Sequence, residues 1–359
     1  MKRTLLLITV LIFSSRLIFA QEVKKDSLNK SSLKEENSTQ FKVMPFFSYN
    51  RNLKFMFGAI PMLMYKLDKQ DSISPKSLSG AAGVYTTNGS HFISVFNRFF
   101  LKEDKWRIIF FGLTGNHTSQ FFMDDFQNGS FYDYNSNTTI VTAGVRRRVF
   151  NDIFLGLNYT YSHYYTVYED EVLPNETTST NALEYIISID TRNDVYYPNK
   201  GNQVKVKWVS LPEWFGNDLT SNKIKTEYNQ YFSTRDGEDV FAARYAGNFG
   251  LGNIVFEQQE VLGGKDIRGY SEGKYRGDGL IAFQGEYRYN FHPKMGLVGF
   301  AGLATIYGSD NPDFDWNIYP GGGIGYRYRA FKDVKFNIGL DAAVGKDDWG
   351  IYFRIGEAF

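Results

Sequence analysis

From Phe41 to the last residue, apolar and polar side chains alternate with a period of two, broken only by short runs of turn residues. Successive side chains of a strand point to opposite faces, so this period describes strands whose two faces meet different surroundings. In the segment 201–211, Val204, Val206 and Trp208 alternate with Gln203, Lys205 and Lys207. In 279–291, Ile281, Phe283, Tyr287, Tyr289 and Phe291 share one face, opposite Ala282, Gln284, Glu286 and Arg288. In 333–345, Val334, Phe336, Ile338 and Leu340 alternate with Lys335, Asn337, Gly339 and Asp341. In 349–359, Trp349, Ile351, Phe353, Ile355 and Phe359 stand opposite Tyr352, Arg354 and Gly356. No amphipathic helix of comparable length competes with this pattern.

Strands of a soluble sandwich average about five or six residues. These segments run to about ten or more, the length with which a tilted strand crosses a bilayer. They divide as 41–50, 53–66, 75–87, 90–103, 105–116, 138–150, 153–167, 181–192, 201–211, 221–233, 238–249, 279–291, 295–307, 319–330, 333–345 and 349–359. That is sixteen, an even number, as in single-chain bacterial outer-membrane barrels. The expected fold is therefore all-β, a transmembrane antiparallel β-barrel of 16 strands in the outer membrane of a Gram-negative-type bacterium. Long connections at 117–137, 168–180, 212–220, 250–278 and 308–318 fit outer loops, while the tight ones at 104, 151–152, 234–237, 292–294 and 331–332 fit periplasmic turns. The stretches 67–74 and 193–200 are long for such turns, and 51–52, 88–89 and 346–348 are short for outer loops.

A barrel also accounts for an odd composition, 25 Tyr and 32 Phe in a chain 17% aromatic whose mean hydropathy is only −0.35. The aromatics suit the lipid face and its interfacial girdles, and the charged residues suit the lumen. Lys205, Lys207, Lys223 and Lys225, with Arg146, Arg147 and Arg148 near the inner end of their strand, give a basic-leaning lumen offset by Glu227. An open channel of this kind is expected to prefer anions mildly.

The domain organisation follows. Residues 1–20 read as a signal peptide, with basic Lys2 and Arg3, an apolar run from Leu5 to Phe13 and a cleavage point at Ala20–Gln21. Residues 21–40 are a polar lead-in of disordered composition, too short for a folded periplasmic domain, and 41–359 form the barrel.

Several functions are excluded or disfavoured. Forty basic against thirty-nine acidic residues leave no net field to attract nucleic acid. The absence of Cys excludes thiol chemistry and cysteine metal sites. His91, His117, His163 and His292 are too far apart in sequence for a ligand motif, and Asp124, Asp125 and Asp133 read as a solvated loop, so no metal and no cofactor is expected. There is no nucleophile elbow or phosphate loop. Ser162 and His163 are adjacent on a strand and point to opposite faces, so no catalytic residue is assigned and the chain is not read as an enzyme.

One connection carries a motif. Across the end of 250–278 runs VLGGKDIRGYSEGKYRGDG, in which Ile267, Arg268, Gly269 and Tyr270 follow Gly263 and Gly264. The stretch resembles the BamA/TamA-type outer-membrane superfamily, the bacterial surface antigen barrels, whose signature is [IV]-R-G-[FY] before the twelfth strand. DTRNDVYYPNKG, with Asp190, Arg192, Pro198 and Gly201, is similar to that superfamily's turn between strands 8 and 9. The ending, with Gly356 and the final aromatic Phe359, resembles its C-terminal strand signal, although Glu357 stands where an aromatic is usual. The resemblance covers the chain beyond about residue 41.

The resemblance implies that the loop folds into the lumen and that Arg268 pairs with acids on the inner wall. Glu286 stands at the position of one family acid. The second, usual on the next strand, is replaced by Gly302, and the lumen-facing Asp341 is the candidate substitute. Spacing alone favours Arg268 as a solvated loop cation, with Glu286 paired to Arg288 or other lumen basics, and the family motif reverses that preference. Gly321, Gly323 and Gly325 leave room for the loop backbone. The resemblance further implies outer-membrane lipid as surroundings, insertion or translocation of client proteins through an unstable seam between first and last strands, and periplasmic domains that receive clients. With about twenty polar residues before the barrel, those domains are expected to come from a separate periplasmic partner. The alternative is a plugged or gated passive pore.

Overall fold

The computed structural model describes residues 39–359 except 52, 124–129, 170–172, 272 and 332. The signal peptide at 1–20, the lead-in up to residue 38, and Asp124 and Asp125 lie outside the described residues. Period-two alternation has become strands throughout. They are β1 (Gln40–Asn50), β2 (Lys54–Tyr65), β3 (Ser77–Thr86), β4 (His91–Leu101), β5 (Trp106–Met123), β6 (Ser130–Phe150), β7 (Ile153–Tyr168), β8 (Glu176–Asp190) and β9 (Gly201–Leu211). Next come β10 (Ser221–Thr234), β11 (Asp239–Gly252), the two-residue β12 (Glu260–Val261) and β13 (Arg276–Gly277), β14 (Gly279–His292), β15 (Met295–Tyr307), β16 (Tyr319–Arg329), β17 (Asn337–Gly345) and β18 (Asp348–Ile355).

Sixteen of these strands close into a single antiparallel barrel, β18 returning to β1. The short β12 and β13 pair only with each other, at the base of the loop between β11 and β14. Closure removes the unpaired edges that would be costly in hydrocarbon and adhesive in water, except along the junction of β1 and β18. Register assigns every side chain a face. On β14, Phe283, Tyr287 and Tyr289 are exposed outward, while Gln284, Glu286 and Arg288 are buried inward. On β6, Arg146 and Arg148 face inward, and Arg147 points out and lies over the Trp106 ring.

Five strand ends differ by more than three residues from the sequence reading, in four places and each for a physical reason. The connection expected at 117–137 is mostly strand, because β5 and β6 continue paired from Asn116–Asn137 up to Met123–Ser130. Here the inward face, with Ser119, Tyr134 and Ser136, is buried and packs on Phe256 and Arg276 of the loop. The outward face carries polar residues, so the run loses its apolar–polar alternation while keeping its ladder. In the same way β8 begins at Glu176 instead of 181. Strand β17 begins at Asn337, and Phe336 turns inward to meet the Tyr196 ring at 5.4 Å. Strand β18 ends at Ile355, where Gly356 takes a φ of +81°. That kink sends Phe359 inward onto Tyr197, Tyr231 and Val240, so the final aromatic does not sit on the lipid face of the last strand.

The lumen is also less uniformly polar than expected. Met44, Ile60, Met62, Met64, Leu78 and Phe100 line its wall near the turn end of β1 to β4, and Tyr196, Phe331 and Phe336 cover them. The long turn at 193–200 supplies the Tyr196 part of that cover: Asp194 caps the Tyr196 and Tyr197 N–H groups at 2.7 and 2.9 Å. Tyr196 then donates to the Lys76 carbonyl at 2.6 Å.

Candidate functional site: an inserted loop and a weak seam

The loop after β11 begins with a two-residue ladder, Glu260 opposite Gly277 and Val261 opposite Arg276. Beyond it the chain needs backbone shapes open chiefly to glycine: Gly263, Gly264, Gly269 and Gly273 have φ of 138°, 60°, 112° and 110°. These bends fold the tip back on the β14 to β18 wall, where Leu262, Ile267, Arg268, Tyr270 and Ser271 are almost fully buried.

Arg268 is the centre of the contact. Its Nη1 donates to Asp341 Oδ2 at 2.9 Å, Nη2 to Glu286 Oε2 at 2.9 Å, and Nε to Gln284 Oε1 at 3.4 Å. The guanidinium carbon lies 3.4 Å from the centre of the Phe300 ring, so one face is covered by an aromatic while the edge is saturated by acceptors. All three charged side chains are shielded from solvent, where a guanidinium is stable only with its charge matched and its donors used. Arg268 is therefore not a solvated loop cation.

The acids it meets are shared. Glu286 also takes Arg288 Nε at 2.8 Å. Asp341 takes Arg327 through Nη1 and Nη2, and Arg354 Nε at 3.2 Å. Glu357, carried inward by the Gly356 kink, accepts from Arg327 Nε at 3.0 Å and lies 3.7 Å from Arg288 Nε. Four guanidiniums and three carboxylates thus form one network joining the loop, four wall strands and the last residues of the chain. The inward parity of Arg327 and Arg354 was readable in the sequence, but nothing there tied them to Arg268.

The vacancy at the second family acid also has a reason. A Cβ on Gly302 would stand 2.5 Å from the Phe283 carbonyl oxygen and 2.8 Å from Ile267 Cδ1. Ile267 fills the space that a side chain at 302 would need, and Asp341 reaches the guanidinium from β17. Gly321 admits the loop in the same way, since a Cβ there would lie 2.3 Å from the Arg268 carbonyl oxygen.

Tyr270 binds the seam side of the barrel. Its hydroxyl donates to the Pro320 carbonyl at 2.6 Å and accepts from Lys346 N–H at 2.9 Å. Tyr352 on β18 accepts from Gly269 N–H and donates to the Tyr270 carbonyl, both at 3.0 Å. Ser271 N–H donates to Asp348 Oδ2 at 2.7 Å, and Arg51, on the β1–β2 turn, lies 3.4 Å from Asp348 Oδ1. The motif thus meets the last strand directly. Tyr352, Asp348, Ser271 and Arg51 were not singled out from the sequence, because a hydroxyl, a turn acid and a turn base carry no recognisable spacing.

The seam itself is slight. Among the described residues, strands β1 and β18 share one register pair, Tyr49 opposite Ile351, whereas every other pair of neighbours in the barrel shares eight or more. Ser48 Oγ donates to the Ile351 carbonyl, and the Tyr49 and Trp349 rings stack at 4.7 Å. These contacts sit at the loop end of β1. Nearer the turn end the Phe46 and Phe353 rings meet edge-on at 5.3 Å, but among the described residues the β18-facing edge of β1 has no ladder partner there.

The turn residues stand apart from the loop yet reach it. Asp190 accepts from Arg192 Nε and Nη2 at 2.7 and 2.9 Å and from Arg107 Nη1 at 2.6 Å. Gly201 needs its φ of +88°, and a Cβ there would lie 2.2 Å from the Thr191 carbonyl oxygen. The Pro198 carbonyl accepts from Arg288 Nη1 at 3.2 Å, which joins this turn to Glu286 and the network above. The lumen lysines are all paired: Lys205 with Glu227, Lys207 with Glu184, and Lys223 and Lys225 with Glu260. Among the described residues no three His, Asp or Glu side chains converge as metal ligands.

Comparisons with known proteins agree with this geometry. A family model described as the Omp85 superfamily domain matches residues 76–359. The fold is similar to that of BamA from Haemophilus ducreyi lacking POTRA domains 1-3, with a TM-score of 0.56 and 12% identity over 90% of this chain and 76% of that one. It is similar to CdiB from Acinetobacter baumannii, TM-score 0.58 and 13% identity over 89% of this chain and 65% of that one. CdiB from Escherichia coli gives 0.58 and 9% over 90% and 66%. The chain thus spans just under two thirds of either CdiB chain. No curated protein matches the sequence. The chain belongs to the Omp85 superfamily and is an integral outer-membrane β-barrel, related to proteins that insert or translocate other proteins.

Proposed function

We propose that this barrel assists the assembly or translocation of client proteins at the outer membrane by opening laterally between β1 and β18, with the Arg268 loop as the lock and a separate periplasmic partner delivering the client. The single observation that supports it is the seam: one register pair where every other junction has eight or more. A backbone group exposed to hydrocarbon without a partner is costly, so an unpaired edge at membrane depth is a place where an incoming strand gains hydrogen bonds. No catalysis is assigned to the barrel. The second reading, a plugged pore, draws on the inserted loop and the 193–200 turn, which both occupy the lumen.

The chain contains no cysteine, so one pair can be introduced cleanly. Tyr49→Cys with Ile351→Cys places two thiols at the one register pair of the seam. In proteoliposomes the reduced protein should speed the folding of a small denatured client barrel, and oxidation should abolish the gain until reductant is added. Acceleration that survives oxidation sinks the lateral route. Channel current with no acceleration in either state establishes the pore.

A further inference from the structure

The turn end of the lumen holds a cavity of about 590 Å³, which meets the Arg268 network only at Glu357 and lies away from the Tyr49–Ile351 seam contact. Its two sides differ in chemistry. One is apolar: Leu78, Phe96, Phe100 and Phe336. The other is mainly cationic, Arg98, Arg107, Arg146 and Lys205, and its two carboxylates, Glu227 and Glu357, are already paired with cations. The cations are crowded by register, since Arg107 stands directly opposite Arg146, and Arg98 is one inward step from Arg107 on the neighbouring strand. Like charges directly opposite each other on a sheet destabilise it.

Two of the four are neutralised. Arg107 binds Asp104 at 2.7 Å and Asp190 at 2.6 Å, and Lys205 lies 3.3 Å from Glu227. Glu227 is already divided, because Arg244 and Lys265 also bind it at 2.8 and 3.3 Å. Among the described residues Arg98 and Arg146 have no ion-pair partner, and Arg146 Nε is buried with no hydrogen-bond acceptor. An unmatched guanidinium in a confined wall is unfavourable, and an anion that supplies acceptors there removes the penalty.

We propose that this cavity is a binding site for an anionic amphiphile, a molecule with one phosphate or carboxylate head and an apolar tail. The head lies between Arg98 and Arg146, and the tail lies along Phe96, Phe100 and Leu78. The volume is within the about 300–1,000 Å³ range of small-ligand sites, so the occupant is not a folded client. A bare inorganic anion would satisfy the guanidiniums and leave the apolar side wet. The site is independent of the lateral-opening proposal and stands whether or not the seam opens.

The test uses the full chain in an uncharged detergent, with native mass spectrometry counting bound molecules. The probes are dodecyl phosphate, pyrophosphate and dodecanol. One dodecyl phosphate per chain should bind, at least tenfold tighter than either other probe. Arg98→Met and Arg146→Met should each weaken it tenfold or more, Arg146→Lys should weaken it less, and the outward-facing Arg147→Met should leave it unchanged. Folding is checked by resistance of the barrel to unfolding in unheated detergent, and both methionine variants should be at least as heat-resistant as the parent. Absence of saturable dodecyl phosphate binding overturns the site. Equal binding by Arg146→Met overturns the head assignment, and equal binding of pyrophosphate or of dodecanol overturns the amphiphile.

Discussion

Asp341 and Arg268 touch each other, but their loss should not cost the same. The network holds four guanidiniums against three carboxylates. Arg268→Met leaves both its acids paired with other arginines and removes the surplus cation, whose lost repulsion offsets part of its two charged hydrogen bonds. The net loss expected is that of one such bond, about 1.5–3 kcal/mol. Asp341→Asn leaves Arg268, Arg327 and Arg354 around an uncharged amide, the situation of a broken buried pair, with an expected loss of about 3–5 kcal/mol. Thermal or urea unfolding in lipid nanodiscs ranks the two, and an equal or reversed ranking refutes the shared network. Gly302→Asp should not rescue Asp341→Asn, because Ile267 and the Phe283 carbonyl occupy the space. Adding Ile267→Ala should permit partial rescue, read in the same unfolding experiment.

A second residue-scale prediction concerns pH. Partial burial raises the carboxyl of Asp71, on the turn between β2 and β3. Hydrogen bonds from Ser74 Oγ and from the Ser74, Glu103 and Ile73 N–H groups outweigh it and hold the group at about 2, below its ordinary 3.8. A depressed carboxyl adds order that is complete above the ordinary value and lost as pH falls through the lowered one. Pepsin should therefore spare residues 67–76 near pH 4 and nick them near pH 2, whereas Asp71→Ala should be nicked at both. Equal cutting of the parent at the two values refutes the assignment.

At the scale of elements, legibility tracked the number of faces that differ. Strands β9, β14 and β15 were read within a residue or so, because lipid on one side and polar wall on the other enforce alternation. The upper parts of β5 and β6 were missed because His117, Thr118, Ser119 and Gln120 stand opposite Ser136, Asn135, Tyr134 and Asp133, polar on both faces, the inward one buried under the loop and the outward one no longer facing lipid. The end of β18 was overextended because one glycine, Gly356, changes the direction of everything after it. In the loop, the motif was legible as residue types, and its position against Glu286 was legible from parity. The hold on β18 was not, since Tyr270, Tyr352 and Asp348 meet only through the folding of the loop. That hold makes Gly269 the critical bend: its φ is +112°, and a Cβ would meet the Val344 carbonyl carbon and oxygen at 2.5 Å. Gly269→Ala should release the loop while the barrel stays folded, with a strain cost of about 1–3 kcal/mol from the dihedral alone. Limited proteolysis within 263–275 checks this, and a loop as resistant as the parent's refutes it.

For the molecule as a whole, the barrel is sewn unevenly, and the unevenness is testable without knowing a client. Strands β5 and β6 share eighteen register pairs, and β6 and β7 sixteen, whereas β1 and β18 share one. In a closed sheet the amides of each strand divide between its two neighbours. Half of those in β1 should therefore be protected by β2, with which it pairs along its whole length, and half left to a neighbour whose ladder, among the described residues, is confined to Tyr49. Hydrogen exchange reports local opening free energies, so amides facing a missing partner exchange first. In nanodiscs, about half of the amides in 40–47 should exchange rapidly while β5 to β7 remain protected. Arg268→Met should extend the fast phase into 351–355, because the loop that holds Tyr352 has lost its anchor. If β1 is as protected as β6, the seam is closed in the membrane and the lateral route has no physical basis. If β1 exchanges but Arg268→Met leaves β18 unaltered, the loop is a plug of the lumen and not a lock on the last strand.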